Sequence, residues 1–483
     1  MRGGRQVVTG ETNQKLTLLY TNDIHSHFDT MSSVAALISR EKEAAGEKVV
    51  VLDIGDHMDR ASMETEGSMG QANVDVMNLT GYDAITIGNN EGLTISYDVL
   101  EHVYAGLQCP IVCCNIHEIT SGNPPSWMKK HVILEREGIR IGLTGATAAF
   151  AGFYQLLGWE AGDPVQAIAE QVHELQDQCD IIVLLSHLGL TMDKRLAEQI
   201  AGIDVILGGH THHILEEPMI IGQTTVCGAG KFGQYVGRLD MQRNHENERF
   251  TCIEGSLLPV DKSLMEPLVE QAIMKHHELA KEKLSETVAV IDRQLPINYE
   301  KESPFANLLA QAVLQHTGAE IAIINSGQLL GPLPEGEIST GMLHSLCPSP
   351  INPCVVKLLG EHIYQALEES LLEEFSGKKI LGFGFRGYIL GGLAVDGCKI
   401  QYDKDGEPYQ KITDISLKGQ PLDRKREYTV GTLDMFTFKI GYETLALGKD
   451  TVYMLPEFIR DLLRTELARP GSLEESMIPR WIS

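Results

Sequence analysis

The sequence predicts an α/β chain of two domains. The first is an α/β domain with a largely parallel sheet interior, and the second is an α+β domain. Three observations carry this. The 483 residues exceed what a single hydrophobic core commonly serves. The N-terminal half alternates short apolar runs with helix-period segments, the rhythm of parallel strands joined by crossover helices. From about residue 287 that rhythm gives way to helical and β-like segments in a different order. The expected boundaries are 1–262 for the first domain, 263–288 for a connecting helix and 289–483 for the second domain.

The elements follow in chain order. Short apolar runs predict strands at 16–21, 48–54, 84–87, 110–114, 139–145, 181–186, 204–208 and 224–227. Helical patterns between them cover 31–45, 70–80, 164–178 and 191–201. Asp163-Pro164 supplies an N-cap and a proline at the first helical position. From about 236 to 262 the pattern becomes more β-like. The amphipathic stretch 264–286 then reads as a connector. In the second domain, helices are predicted at 302–317 and 360–374, and β-like segments at 320–325, 398–403, 411–416 and 427–433.

Composition excludes several functions. Hydrophobic residues make up 43% and charged residues 22%, the balance of a soluble globular chain. The 40 basic against 66 acidic residues give a formal charge of −26. Such a chain is unsuited to nucleic acid or an anionic membrane, which need basic surfaces. Small phosphorylated substrates stay compatible, because bound metal ions reverse the local field. The nine cysteines include no CxxC pair and read as reduced, mostly buried thiols rather than zinc ligands. Met1 to Lys15 has no apolar h-region and no run reaches 18 apolar residues. The expectation is a cytoplasmic protein without a membrane span.

Function is carried by polar blocks, each directly after an apolar run: Asn22-Asp23-Ile24-His25, Gly55-Asp56, Gly88-Asn89-Asn90-Glu91, Ser186-His187 and Gly208-Gly209-His210-Thr211-His212. Read singly, Asp-x-His or Gly-Asp is a common turn or cap. Read together, they place seven ligand-type side chains at strand ends of one domain: Asp23, His25, Asp56, Asn89, His187, His210 and His212. In α/β sheets the loops at the carboxyl ends of strands gather ligand-binding groups, so separation in sequence is no obstacle. Carboxylate, imidazole and amide oxygen together suit Mn, Fe, Co or Zn. Seven ligands suffice for two ions sharing one bridging carboxylate. Asp53 reads as a carboxylate that orients its loop by hydrogen bonding. Asp59, His27 and His57 lie near the site in sequence, and His213 just outside it.

The order and spacing of these blocks, opening with Thr21-Asn22-Asp23-Ile24-His25-Ser26-His27, resemble the calcineurin-like metallophosphoesterases, and more closely their 5′-nucleotidase branch. The resemblance implies a four-layer αββα metallophosphoesterase sandwich over 1–262, followed by a 5′-nucleotidase-type substrate-binding domain. It assigns Asp23, His25, Asp56 and His212 to one ion and Asp56, Asn89, His187 and His210 to the other, with Asp56 as the bridge. It implies hydrolysis of nucleotides or related phosphate esters by activated water, with no protein nucleophile.

The chain departs from that family in two places. The family usually runs Gly-Asn-His-Glu-Phe-Asp where this chain has Gly88-Asn89-Asn90-Glu91-Gly92-Leu93. The family histidine stabilises charge on the transferring group and the aspartate orients it; here Asn90 and Leu93 replace them. Asn90 can donate a hydrogen bond to a phosphoryl oxygen but cannot deliver a proton. Three readings stay open: slow turnover of alkyl phosphates, another group such as His27 or His57 in the role, or substrates with good leaving groups such as anhydrides. A fourth is a metal- and nucleotide-binding pseudoenzyme or sensor. In the second domain the family's Asn-Gly-Gly-Ile-Arg becomes Asn325-Ser326-Gly327-Gln328-Leu329, so its substrate-holding arginine is absent. Asn325 and Arg386 are candidates for substrate contact. Phe385 or Tyr388, together with Phe436, are candidates for stacking on a base.

Overall fold

The computed structural model describes residues 14–244, 249–380, 382 and 384–483. By contact clustering the chain forms two compact units. The first comprises residues up to Asp59 together with Ser68–His276, and the second comprises Arg60–Gly67 together with His277–Ser483.

The first unit is built on two large sheets. One has seven strands, in the order Phe250–Pro259, Tyr235–Arg243, Lys15–Thr21, Val49–Asp53, Ala84–Ile85, Ile111–Val112 and Met128–Lys129. From Lys15–Thr21 onward its neighbours run parallel. The other has six, in the order Met219–Ile221, Thr224–Gly228, Val205–Gly208, Ile181–His187, Ile139–Thr147 and His131–Arg136, with a parallel centre. Leu16, Leu18, Val50 and Leu52 of the first sheet share one apolar cluster with Ile141, Leu143, Val183 and Leu207 of the second, so the sheets pack face to face. The outer face of the first sheet packs on helices Phe28–Ala45 and Gln71–Thr80, and that of the second on Pro164–Leu175 and Leu190–Gln199. This is the expected four-layer αββα sandwich. The apolar runs are explained by it: Val49–Asp53 and Ile181–His187 are buried throughout because both faces are covered. Each such Val, Leu or Ile contributes about 1.5–3 kcal/mol.

The predicted strands recur within a residue or two, with one difference. The ladders at 84–87 and 110–114 shorten to Ala84–Ile85 and Ile111–Val112. Ile87 and Gly88 already belong to the turn that carries Asn89.

In the second unit, a five-stranded sheet runs Leu393–Asp396, Ile321–Asn325, Glu427–Leu433, Pro353–Leu359 and Lys449–Tyr453. A four-stranded sheet and helices Pro304–Thr317, Gly360–Ser370 and Ile459–Leu467 complete its core. The predicted connector is the helix Pro267–Lys283, within which the division between units falls.

Residues 60–67 depart from the expected boundaries, which put them in the first domain. Within the second unit, Arg60 and Arg460 both pair with Glu66, at 2.7 and 2.9 Å. The Phe458 ring lies 4.7 and 4.8 Å from their guanidinium carbons. All nine cysteines are free thiols. Among the described residues no helix is long and apolar enough to cross a membrane.

Candidate metal centre

Each predicted ligand sits at or just past the carboxyl end of a strand: Asp23 and His25 after Lys15–Thr21, Asp56 after Val49–Asp53, Asn89 after Ala84–Ile85, His187 at the end of Ile181–His187, and His210 and His212 after Val205–Gly208. Five of the seven adopt the left-handed backbone region: Asp23 (φ 52°), His25 (48°), Asp56 (51°), His210 (72°) and His212 (56°). That conformation is uncommon outside glycine and persists only where the surroundings over-determine it. Here they do. The Asp23 amide donates to the Gly55 carbonyl at 3.1 Å and the His25 amide to the Asp56 carbonyl at 2.8 Å. The His210 amide donates to the Asp23 carboxylate at 3.0 Å. Glycine is required at position 88, where a Cβ would stand 2.0 Å from Asp56 Oδ1.

The side chains converge. Asp23, His25 and His212 offer ligand atoms within 4.8 Å of one another, and so do Asp23, Asp56 and His187. His25 Nε2 and His212 Nε2 stand 3.3 Å apart, and His212 Nε2 is 3.3 Å from Asp23 Oδ1. A cation about 2.0–2.1 Å from each nitrogen would span the first gap. Asp56 Oδ2 lies 3.3 Å from His187 Nε2 on one side and 3.8 Å from His25 Nε2 on the other, the position of a bridge. His187 Nδ1 donates to the Ile54 carbonyl at 2.8 Å, which leaves Nε2 facing Asp56 as the nitrogen that would become the ligand once its proton is displaced. His187 Nε2 and Asn89 Oδ1 are buried with no hydrogen-bond partner. Buried polar atoms without such a partner are costly, and a bound cation satisfies both. The His210 ring stands 5.3 Å from that of His187.

Electrostatics agree. Burial disfavours the Asp56 carboxylate, but the His187 imidazole outweighs it and holds the group well below the ordinary range. His187 is pushed up to about 10: burial opposes its charge, and Asp56 and Asp23 override burial. These groups share protons where divalent ions would replace them.

Glu91 supports the centre, a role that its place in the sequence block did not disclose. Its buried carboxylate accepts from the amides of Asp56 (3.0 Å), Met58 (2.7 Å) and Gly88 (2.8 Å), clamping two ligand loops together. Burial and the neighbouring Asp56 carboxylate push it up to about 7, against the Met58 and Gly88 amides and the His187 imidazole. Glu91→Ala leaves three buried N–H groups unpaired at about 1–3 kcal/mol each. The expected loss is about 3–9 kcal/mol, read as an earlier first unfolding transition on thermal denaturation; an unshifted transition would refute the clamp. Asn22 acts similarly, donating to Asp23 Oδ2 and the Gly230 carbonyl, both at 2.7 Å. Asp53 accepts from Thr21 Oγ1 (2.5 Å) and the Gly55 amide (3.1 Å), which fixes the Gly55 turn.

Comparisons with known proteins bear on the whole chain. Residues 16–213 match the calcineurin-like phosphoesterase family, and 283–446 match the 5′-nucleotidase C-terminal domain. The uncharacterized metallophosphoesterase YunD of Bacillus subtilis is 34% identical over 461 residues, covering 94% of this chain and 100% of its own length. The chain belongs to the calcineurin-like phosphoesterases. The 5′-nucleotidase of Mus musculus is 23% identical, over 97% of this chain and 88% of its own. A putative 5′-nucleotidase from Staphylococcus aureus superposes with a TM-score of 0.70 at 18% identity, over 97% of this chain and 99% of its own, which shows the shared fold. Members of this family are metal-dependent phosphoester hydrolases, and this chain is a hydrolase of that kind.

Against the calcineurin-like phosphoesterase pattern, the remaining predicted residues fall as follows. Asn90 lies at the site: its amide donates to Asp56 Oδ1 at 2.7 Å, and its side chain stands 2.9 Å from His25 Nδ1. An ion held by His25 Nε2 would leave the ring proton on Nδ1. The acceptors in range are then Asp59 Oδ2 at 3.3 Å and, with the amide turned over, the Asn90 oxygen. His27 is half-exposed, 3.4 Å from Asp29 and stacked on Phe232 with ring centres 3.9 Å apart. His57 is fully buried and held down to about 3 by burial, with Nδ1 3.2 Å from the Asn73 amide. That environment does not suit the alternative acid role the sequence left open for it. His213 is exposed and contacts Thr211.

In the second unit, Asn325 is buried, donating to the Leu390 carbonyl at 2.6 Å and accepting from Gln328 at 3.0 Å. Phe385 and Phe436 are 4% and 0% exposed, packed in the apolar core, and neither offers an open face for the base stacking expected of them. Tyr388 is 73% exposed, and the Arg386 guanidinium donates to the Phe385 carbonyl. Sequence periodicity shows that an aromatic lies in an apolar segment, not which way its ring turns.

Proposed function

We propose that this protein is a binuclear metal-dependent phosphohydrolase of the cytoplasm, acting on nucleotides or related phosphate esters or anhydrides. The observation that carries the reading is the convergence of ligand atoms about Asp56, with His187 Nε2 and Asn89 Oδ1 buried without a hydrogen-bond partner. Asp23, His25, Asp56 and His212 would hold one ion, and Asp56, Asn89, His187 and His210 the other; the donor set suits Mn, Zn, Co or Fe. Ions bound there supply Lewis acidity and charge neutralisation for attack of water on phosphorus. The chain's own residues do the rest. Asp56 presents one carboxylate to both halves of the site. Ile54 and Asp59 orient His187 and His25 through their Nδ1 atoms, and Glu91 holds the loops that carry Asp56 and Asn89. Asn90 stands where it can donate a hydrogen bond and cannot deliver a proton. Nine free thiols fit a reducing compartment.

The test is phosphate release from a panel of nucleoside mono-, di- and triphosphates by protein stripped of metal and reloaded with Mn or Co. Release that requires the metal and stops on chelation supports the reading. Nucleotide affinity without any release overturns it and leaves a binding protein.

A further inference from the structure

The segment Ala229–Gly233 is tied to the first ligand loop at several points. Asn22 accepts from the Ala229 amide at 3.0 Å and donates to the Gly230 carbonyl at 2.7 Å. The Phe232 amide donates to the Asp23 carbonyl at 2.8 Å, and Thr30 Oγ1 donates to the Phe232 carbonyl at 2.9 Å. Phe232 is held at φ 62°, a left-handed conformation that is a genuine outlier for a bulky residue. Strain of this kind persists where neighbours over-determine it, and it concentrates at functional sites.

What the strained loop achieves is a placement. The Phe232 ring lies edge-on to the ligand His25 at 5.8 Å, and Lys231 Nζ stands 4.5 Å from the centre of the same ring. Lys231 makes no ion pair with a carboxylate among the described residues, in a chain carrying 66 acidic residues against 40 basic ones. Asp29, 3.4 Å from the His27 ring that lies against Phe232, pairs with Lys262 at 2.7 Å. A lysine resting on an aromatic face has a cation–π contact as its main attraction. A charge-assisted hydrogen bond to a phosphate oxygen is stronger, so an anion arriving at the metal centre can draw the ammonium off the ring.

We propose that Lys231 binds a second phosphate of the substrate, beyond the one engaged at the metal centre, and so biases the enzyme toward phosphoanhydrides. This rests on the phosphohydrolase reading above. It also fits Asn90, since an anhydride needs no acid at its leaving group. In the reaction, the oxygen of water bonds to the terminal phosphorus and the bridging P–O bond breaks. The departing phosphate keeps the electron pair and leaves unprotonated. Of the two protons of water, one stays on the released phosphate and the other goes to solvent.

Two measurements test it, with Lys231→Met, Lys231→Arg and, as control, the exposed Lys194→Met. The first is the ratio of kcat/KM for ADP over AMP. The second, in Mn-loaded protein by calorimetry, is the ratio of affinities for methylenediphosphonate over methylphosphonate, neither of which is hydrolysed. Lys231→Met is expected to lower both ratios about 10-fold or more, with Lys231→Arg near wild type and the control unchanged. Wild-type ratios in Lys231→Met overturn the proposal. If no substrate is turned over yet the affinity ratio still falls, the hydrolase reading fails and the Lys231 subsite stands.

Discussion

Asp56→Asn is expected to remove metal-dependent phosphate release by about 10³-fold or more while the chain still folds. The substitution is nearly isosteric, and the Asp56 backbone stays held by the Glu91 carboxylate at 3.0 Å. What changes is charge. One carboxylate faces His187 Nε2 at 3.3 Å and His25 Nε2 at 3.8 Å. Both imidazole nitrogens need an anionic neighbour if a divalent ion is to be neutralised between them. An amide there supplies one neutral oxygen and turns an NH₂ group toward a ligand nitrogen or toward the Asn90 amide, which now donates to Oδ1 at 2.7 Å. In the metal-free protein the charge is opposed by Asp23 but attracts His187 more strongly, so its loss also costs some stability. The expected signature is therefore a lowered but still cooperative first melting transition, a metal content below two per chain, and loss of phosphate release. Equal trace release from wild type and Asp56→Asn would sink the binuclear reading.

Asp56 is legible in the sequence alone, which marks what the sequence discloses best. Strands with both faces covered are written as continuous apolar runs, and ligands as polar blocks at their ends; both signals are local. The left-handed backbone at Asp23, His25, Asp56, His210 and His212 is not visible in residue identity, since nothing in an Asp or a His announces positive φ. The Glu91 clamp is long-range, binding amides 33 and 35 residues away. Residues 60–67 look like a continuation of the Gly55-Asp56 loop, and only contacts with residues distant in sequence, such as Arg460 about 400 positions on, assign them to the second unit. Phe385 and Phe436 show the opposite failure. An aligned position proposed a role in stacking, while burial among Leu390, Met435 and Tyr442 gives each ring a simpler purpose in the core.

Asn90→His is expected to raise kcat/KM on esters with poor leaving groups, such as AMP, by about 10²–10⁴-fold, and to change the hydrolysis of anhydrides far less. The main chain at this position is indifferent to the exchange, because its contact with Asp56 runs through the backbone amide. The side chain stands 2.9 Å from His25 Nδ1, so a histidine there enters the ligand neighbourhood as a group that can carry a proton. An alkoxide leaving group requires that proton and a departing phosphate does not, so the gain must depend on the leaving group. Adding Leu93→Asp is expected to contribute about another 10-fold by orienting the ring. Leu93 is partly buried against the apolar cluster of the first unit, so the double variant also unfolds earlier. A wild type that already hydrolyses AMP as readily as ADP, or an Asn90→His variant equally improved on both, would show that position 90 does not set the choice of leaving group. Improvement confined to AMP would mean that metal binding and acid catalysis have come apart in this chain at a single residue, next to a ligand that is still in place.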